Sequence, residues 1–218
     1  MPPVTVTLRP MAGPSSLGLF GLAAASVVLS GLQLGWVPIA ASGQVAVVLI
    51  AFAFPAQATT GVFAFLTRDG ATATVMSVLA LSWLATGVVM LTSPPGSRSE
   101  VLGLFLVVVA VAVALTGLTA AMSKLVMGAV LLTASARFLL TALFHLTGDD
   151  GWKSASGLLG LALAGLAVYA AWAFELEDAA GRTMLPTGRR SKGLVALHGS
   201  LDEQVRDVSA EPGVRCRL

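Results

Sequence analysis

The chain has 218 residues, of which 56% are hydrophobic and 11% charged, with a formal net charge of +2. Soluble domains carry about 25% charged residues, so a mean hydropathy of +0.87 excludes that class and indicates a polytopic membrane protein. The pI near 9.1 reflects basic loops and a basic tail and no nucleic-acid-binding face.

In chain order, residues 1–16 form a short polar, proline-punctuated N-terminal segment whose one charged side chain is Arg9. The first apolar span is Leu17–Gly35. A charged residue before an apolar run also fits a signal peptide, but the run is long for one and similar spans follow, which favours a first transmembrane helix. The second span, about Gln44–Leu66, holds Pro55, Gln57, Thr59, Thr60 and Gly61 and is expected to be interrupted, because proline removes a backbone hydrogen bond. The third and fourth spans are about Ala73–Leu91 and Val101–Ala121. The fifth, Leu125–Thr147, is long enough to cross a hydrocarbon core of about 30 Å and carries Arg137 near its middle. The sixth is about Ala155–Phe174. The expected fold is therefore an all-α membrane protein: a six-helix transmembrane domain over 17–175 and a disordered C-terminal tail over 176–218. Basic residues concentrate on one side, at Arg9, Arg68, Lys124, Arg182, Arg189, Arg190 and Lys192, against Arg98 and Lys153 on the other. That bias places both termini in the cytoplasm, and the protein is expected in the plasma (inner) membrane.

Arg137 is the most informative residue. An arginine at bilayer depth costs about 2.5–3.5 kcal/mol on insertion scales and needs a partner, a wet cavity or a function. Thr133, Arg137, Thr141 and His145 recur every four residues and so form one polar stripe that lipid cannot satisfy. No span core contains an aspartate or glutamate. The guanidinium is thus left either to an anionic ligand, whose carboxylate it matches bidentately, or to an aromatic face such as Trp83 and the carbonyls of a kinked helix. Gln57 beside Pro55 either orients a substrate oxygen or joins two helices. His145, at the outer end of its helix, is a gating candidate or a plain interfacial histidine. Glycines and alanines at 18, 21, 157, 160 and 164 favour close helix packing. The lone cysteine, Cys216, permits no internal disulfide, and the two histidines, His145 and His198, lie in different regions, so neither metal nor other cofactor is expected. Motifs of hydrolases, P-loop proteins and dinucleotide binders are absent, which argues against an enzyme.

Two flanking stretches carry the motifs of one family of membrane proteins. Members end their last helix with a segment like N-E-x-x-G-R-T-x-L-P-x-G. Here Glu177-Asp178-Ala179-Ala180-Gly181-Arg182-Thr183-Met184-Leu185-Pro186-Thr187-Gly188 fits that frame, with acidic changes at its start. Gly157-Leu158-Leu159-Gly160 and Val168-Tyr169 fit the family's last helix as well. Before the first helix, Gly13-Pro14-Ser15-Ser16-Leu17-Gly18-Leu19 keeps the P-x-x-L-G-L skeleton of N-P-A-P-L-G-L, and Gln57-Ala58-Thr59-Thr60-Gly61 echoes Q-x-x-A-G. In these motifs the chain resembles the acetate uptake transporters, also called succinate–acetate permeases. The resemblance implies a hexameric ring with a path through each six-helix protomer for small monocarboxylates or dicarboxylates. It also places the family's constricting aromatic and tyrosine at Leu22 and Leu81, and its threonine pair at Ala25 and Ser26, as in a divergent branch.

The reading is a membrane permease or channel-like transporter for small carboxylates, a homo-oligomer in the lipid bilayer. Its path residues are Arg137, Gln57, Leu22, Leu81, Thr133 and Thr141. The alternative is a non-transporting membrane scaffold or sensor of the same fold that works through its tail.

Overall fold

A computed structural model describes residues 12–200 and 202–203. Arg9, Cys216 and the tail expected beyond residue 203 lie outside the described residues. Six helices are long and apolar enough to cross a membrane. They are α1 (Ser15–Gln33), a composite second span, α4 (Gly70–Thr92), α5 (Glu100–Ala121), α6 (Leu125–Thr147) and α7 (Asp150–Ala180). The second span joins a 3-10 turn (Ile39–Ala41), α2 (Ser42–Val48), a wide π turn (Leu49–Ala53) and α3 (Phe54–Leu66).

The local chemistry accounts for these limits. Asp69 accepts a hydrogen bond from the Thr72 N–H at 3.1 Å, and Ser99 accepts one from Leu102 at 3.2 Å, capping α4 and α5. Gly148, at φ +80°, ends α6 in a left-handed conformation that suits glycine. The interruption expected at Pro55 takes the form of a widened turn just ahead of it. Pro55 has no N–H for the preceding turn, and the chain adds a residue to that turn while remaining helical.

The spans close a ring in chain order. α1 packs on α3, α3 on α4, α4 on α5, α5 on α6, α6 on α7, and α7 again on α1. The small residues noted in the sequence lie at these seams. A Cβ on Gly21 would sit 3.0 Å from that of Ala56, and one on Gly157 would sit 2.7 Å from Leu34 Cγ. Large apolar side chains such as Val101, Leu104, Val108, Leu115, Phe65 and Trp172 face outward, as a helix bundle in lipid requires.

Both ends of the described chain lie on one side, here termed the termini side. There α7 runs to Ala180, past the expected end of the sixth span, and the chain continues as an ordered strap to α8 (Lys192–His198). So residues 176–200 of the expected tail are built into the fold, for two reasons. The first N–H groups of a helix need acceptors, and α6 has no side-chain cap. The strap supplies them: Leu125 N–H donates to Gly188 O at 3.1 Å and Val126 N–H to Thr187 O at 3.2 Å. Glu177, 2% exposed, is the second reason. Its carboxylate accepts from Thr183 Oγ1 at 2.9 Å, Thr187 Oγ1 at 3.3 Å and Arg189 Nε at 2.7 Å, and it also pairs with Arg189 Nη2. Nearby, Lys124 Nζ pairs with Asp69 Oδ2 at 3.2 Å and lies 5.7 Å from the Phe174 ring, joining the α3–α4 turn, the start of α6 and α7.

Two outcomes follow from these ties. Breaking a buried ion pair by removing one partner costs about 3–5 kcal/mol. Arg189→Leu is therefore expected to lower the melting temperature and to open the strap to limited proteolysis; resistance equal to that of the native protein would contradict the role given to the pair. The second concerns Asp69. Burial raises its carboxyl, but the Lys124 charge and the Thr72 hydrogen bonds outweigh that and hold it below its ordinary 3.8. A lowered carboxyl stabilises the fold above its unfolded value and loses that contribution as pH falls through the folded one. Melting curves of the native protein and Asp69→Asn should thus differ at neutral pH and converge in acid below 3.8. Curves that stay parallel would contradict this.

Candidate functional site

The site builds outward from Arg137, which is 2% exposed in the middle of α6. Its side chain passes over α7 to reach α1, although α6 and α1 are not neighbours in the ring. Gly160 makes the passage possible, since a Cβ there would lie 2.9 Å from Arg137 Cζ. At α1, Nη1 donates to Ser26 Oγ at 3.2 Å, and Nη2 donates to Ser26 O at 3.4 Å and Ser30 Oγ at 3.5 Å. From the other side, the Trp83 ring of α4 stands 5.9 Å from Cζ. Phe138 packs on Trp83 with centroids 5.3 Å apart.

Both neutral contacts that the sequence allows are therefore present, an aromatic face and a backbone carbonyl, although the carbonyl belongs to unbroken α1. Neither compensates the charge. These bonds are long for N–H···O, the guanidinium Nε has no partner, and among the described residues no acidic side chain pairs with Arg137. Three further buried groups without a partner lie toward the interior or the far side: Trp83 Nε1, Thr86 Oγ1 and Gln33 Oε1. Thr86 and Gln33 line a cavity of about 100 Å³ that opens on the far side, together with Thr141, Phe144, His145 and Lys153.

The other expected site residues distribute around this centre. Thr141 is buried one turn beyond Arg137; its hydroxyl donates to Arg137 O at 3.0 Å and pairs with Ser156 Oγ at 2.7 Å, and it also lines the cavity. Thr133, one turn before Arg137, is half-buried. Leu22, fully buried on α1, lies one turn before Ser26. Gln57 is fully buried toward the termini side, where Nε2 donates to Gly18 O at 3.2 Å and Oε1 is left without a partner. It thus joins α3 to α1 and still presents a free acceptor. His145 is half-buried at the far end, and its Nδ1 accepts the Ser99 N–H at 3.2 Å. Among the described residues, no group of three or more metal-ligating side chains occurs.

Leu81 is the exception. It is 58% exposed and faces out of the bundle, so it forms no constriction with Leu22 in this protomer. Helical geometry gives the reason: at about 100° per residue, position 81 lies opposite 79 and 83. Those two, with Met76 and Thr86, form the buried face of α4. Leu79 is therefore the α4 leucine that points inward. This face escaped the sequence reading because α4 is apolar all round and shows no periodic contrast; the clue available was the 76–79–83–86 spacing of its bulkiest and polar members.

The solved structure of the bacterial acetate channel SatP matches this architecture with a TM-score of 0.74 at 23% identity, covering 82% of this chain and 100% of that one. No match is found among curated proteins. The family model described as GPR1/FUN34/yaaH matches residues 2–187. A helical membrane protein of six spans that fits this model over most of its length belongs to the GPR1/FUN34/yaaH family.

Proposed function

We propose that this chain is a permease or channel-like pathway for small carboxylates that runs through the interior of the six-helix ring. The observation that carries the reading is the buried Arg137 guanidinium, with its Nε–H unpartnered and no carboxylate beside it among the described residues. A buried charge is stable only with a compensating partner, and a passing carboxylate supplies one in the geometry that a guanidinium accepts.

The remaining residues take roles along that route. Thr141, Gln33 and Thr86 give the far-side cavity polar walls, and His145 sits at its mouth as the gating candidate. Leu22 and Leu79 form the apolar narrowing that strips water from the solute, Thr133 continues the polar stripe of α6, and Gln57 orients the ligand toward the termini side through its free Oε1. Membership of the GPR1/FUN34/yaaH family, together with a fold shared with a bacterial acetate channel, supports acetate as the first substrate to test. The chain acts as a transporter and not as an enzyme. The basic residues Arg68, Lys124, Arg182, Arg189 and Arg190 on the termini side support cytoplasmic termini, and a plasma-membrane location goes with that reading. Its apolar outer face suits packing into a homo-oligomer, taken as a hexamer from the family resemblance.

The test is uptake of labelled acetate, propionate and succinate into liposomes that carry the purified protein, alongside Arg137→Leu. A hydrogen bond to a charged group contributes about 1.5–3 kcal/mol, so saturable uptake should fall at least about tenfold in the variant. Because a buried charge without a countercharge is costly to the fold, the variant should melt no lower than the native protein. Unchanged uptake would sink the proposal. Removal of residues 204–218, which leaves the Arg189–Glu177 pair intact, should leave uptake unaffected; a scaffold that works through its tail would show the reverse pattern.

A further inference from the structure

The groups around Arg137 include a second donor of the same kind. Trp83 is 1% exposed, and its indole N–H has no acceptor. A buried N–H without a partner costs about 1–3 kcal/mol, and native folds keep few of them. Here two occur on side chains whose guanidinium carbon and ring centre are 5.9 Å apart: Trp83 Nε1 on α4 and Arg137 Nε on α6. The environment fixes both side chains. Ser26 and Ser30 occupy the two terminal nitrogens of the guanidinium, which leaves the Nε edge unbonded. Phe138 packs against the indole at 5.3 Å and 42°. Two buried donors without an acceptor on neighbouring side chains, one of them charged, suit an anion and not a cation or a neutral acceptor-poor solute.

We propose that Trp83 is a specificity-determining residue, whose indole N–H binds one oxygen of the carboxylate while Arg137 binds the other. This rests on the reading of Arg137 as the anion site. A carboxylate has one oxygen for each donor, whereas a halide has a single centre to share between them.

The experiment uses the full-length protein in lipid nanodiscs with 15N-labelled indoles. Trp36, Trp152 and Trp172 are at least 38% exposed, so Trp83 is the one buried tryptophan, and its resonance is the one missing from Trp83→Phe. Acetate should move that resonance downfield and saturate at the concentration that half-saturates uptake, and chloride should not. In liposomes, Trp83→Phe keeps the ring and loses the donor, so the KM for acetate should rise about tenfold, as expected for one hydrogen bond to a charged group, while the maximal rate changes far less. A resonance that stays still while native uptake saturates would overturn the assignment, and so would a native KM in Trp83→Phe. Arg137→Leu separates the two levels. Uptake that survives in Arg137→Leu removes the carboxylate reading as a whole. Uptake lost there but native in Trp83→Phe removes only the role of Trp83.

Discussion

A positive charge held in the middle of an apolar bundle without a negative partner is the constraint on which the rest of this structure turns. Taking a guanidinium out of water costs several kcal/mol even after relaxation. Serine hydroxyls and a carbonyl at 3.2–3.5 Å return only part of that. The protein nevertheless shapes three helices around the group: α7 gives up a side chain at Gly160, α1 turns Ser26 and Ser30 toward it, and α4 places Trp83 against it. Such accommodation of an uncompensated charge is understandable if its partner is a solute that arrives and leaves. A permanent carboxylate at the same place would form a closed ion pair and leave nothing for a passing anion to bind.

The termini side is built on the opposite logic, with charges that are paired and fixed. Glu177 with Arg189, and Asp69 with Lys124, tie the strap, the start of α6, the α3–α4 turn and α7 into one layer. The stretch that carries the strongest family resemblance, Glu177 to Gly188, has a structural task in this layer. Its acidic start holds the pair, Gly181 at φ +62° ends α7, and the carbonyls of Thr187 and Gly188 cap α6. The same helix that carries Arg137 is thus anchored at its first turn by the strap that follows α7, one route by which the C-terminal segment fixes the position of the site.

Much of this was legible in the chain itself. Six apolar runs of spanning length become six helices, because in lipid a helix is the way for such a run to satisfy its backbone. Arg137 was legible for the same energetic reason, as was the disturbance at Pro55. Three things were not. Leu81 was assigned inward by matching a family position, and only the actual rotation of α4, which is apolar on every side, shows that Leu79 and Trp83 face in instead. The strap was read as the beginning of a tail because its composition is polar, yet its order comes from backbone acceptors and from Glu177, which no local pattern advertises. The contact between Arg137 and α1 joins residues 111 positions apart, a separation at which sequence spacing carries no information.

The central claim is that an anion occupies the interior of the ring beside Arg137. The most direct measurement is anomalous diffraction from crystals soaked in 3-bromoacrylate, a small carboxylate whose vinylic bromine resists direct displacement and marks its position. A bromine peak inside the protomer between α4, α6 and α7, absent from Arg137→Leu crystals of the same form, is the predicted result. Bromine found only on the outer surface, or an interior peak that persists in Arg137→Leu, would contradict the account.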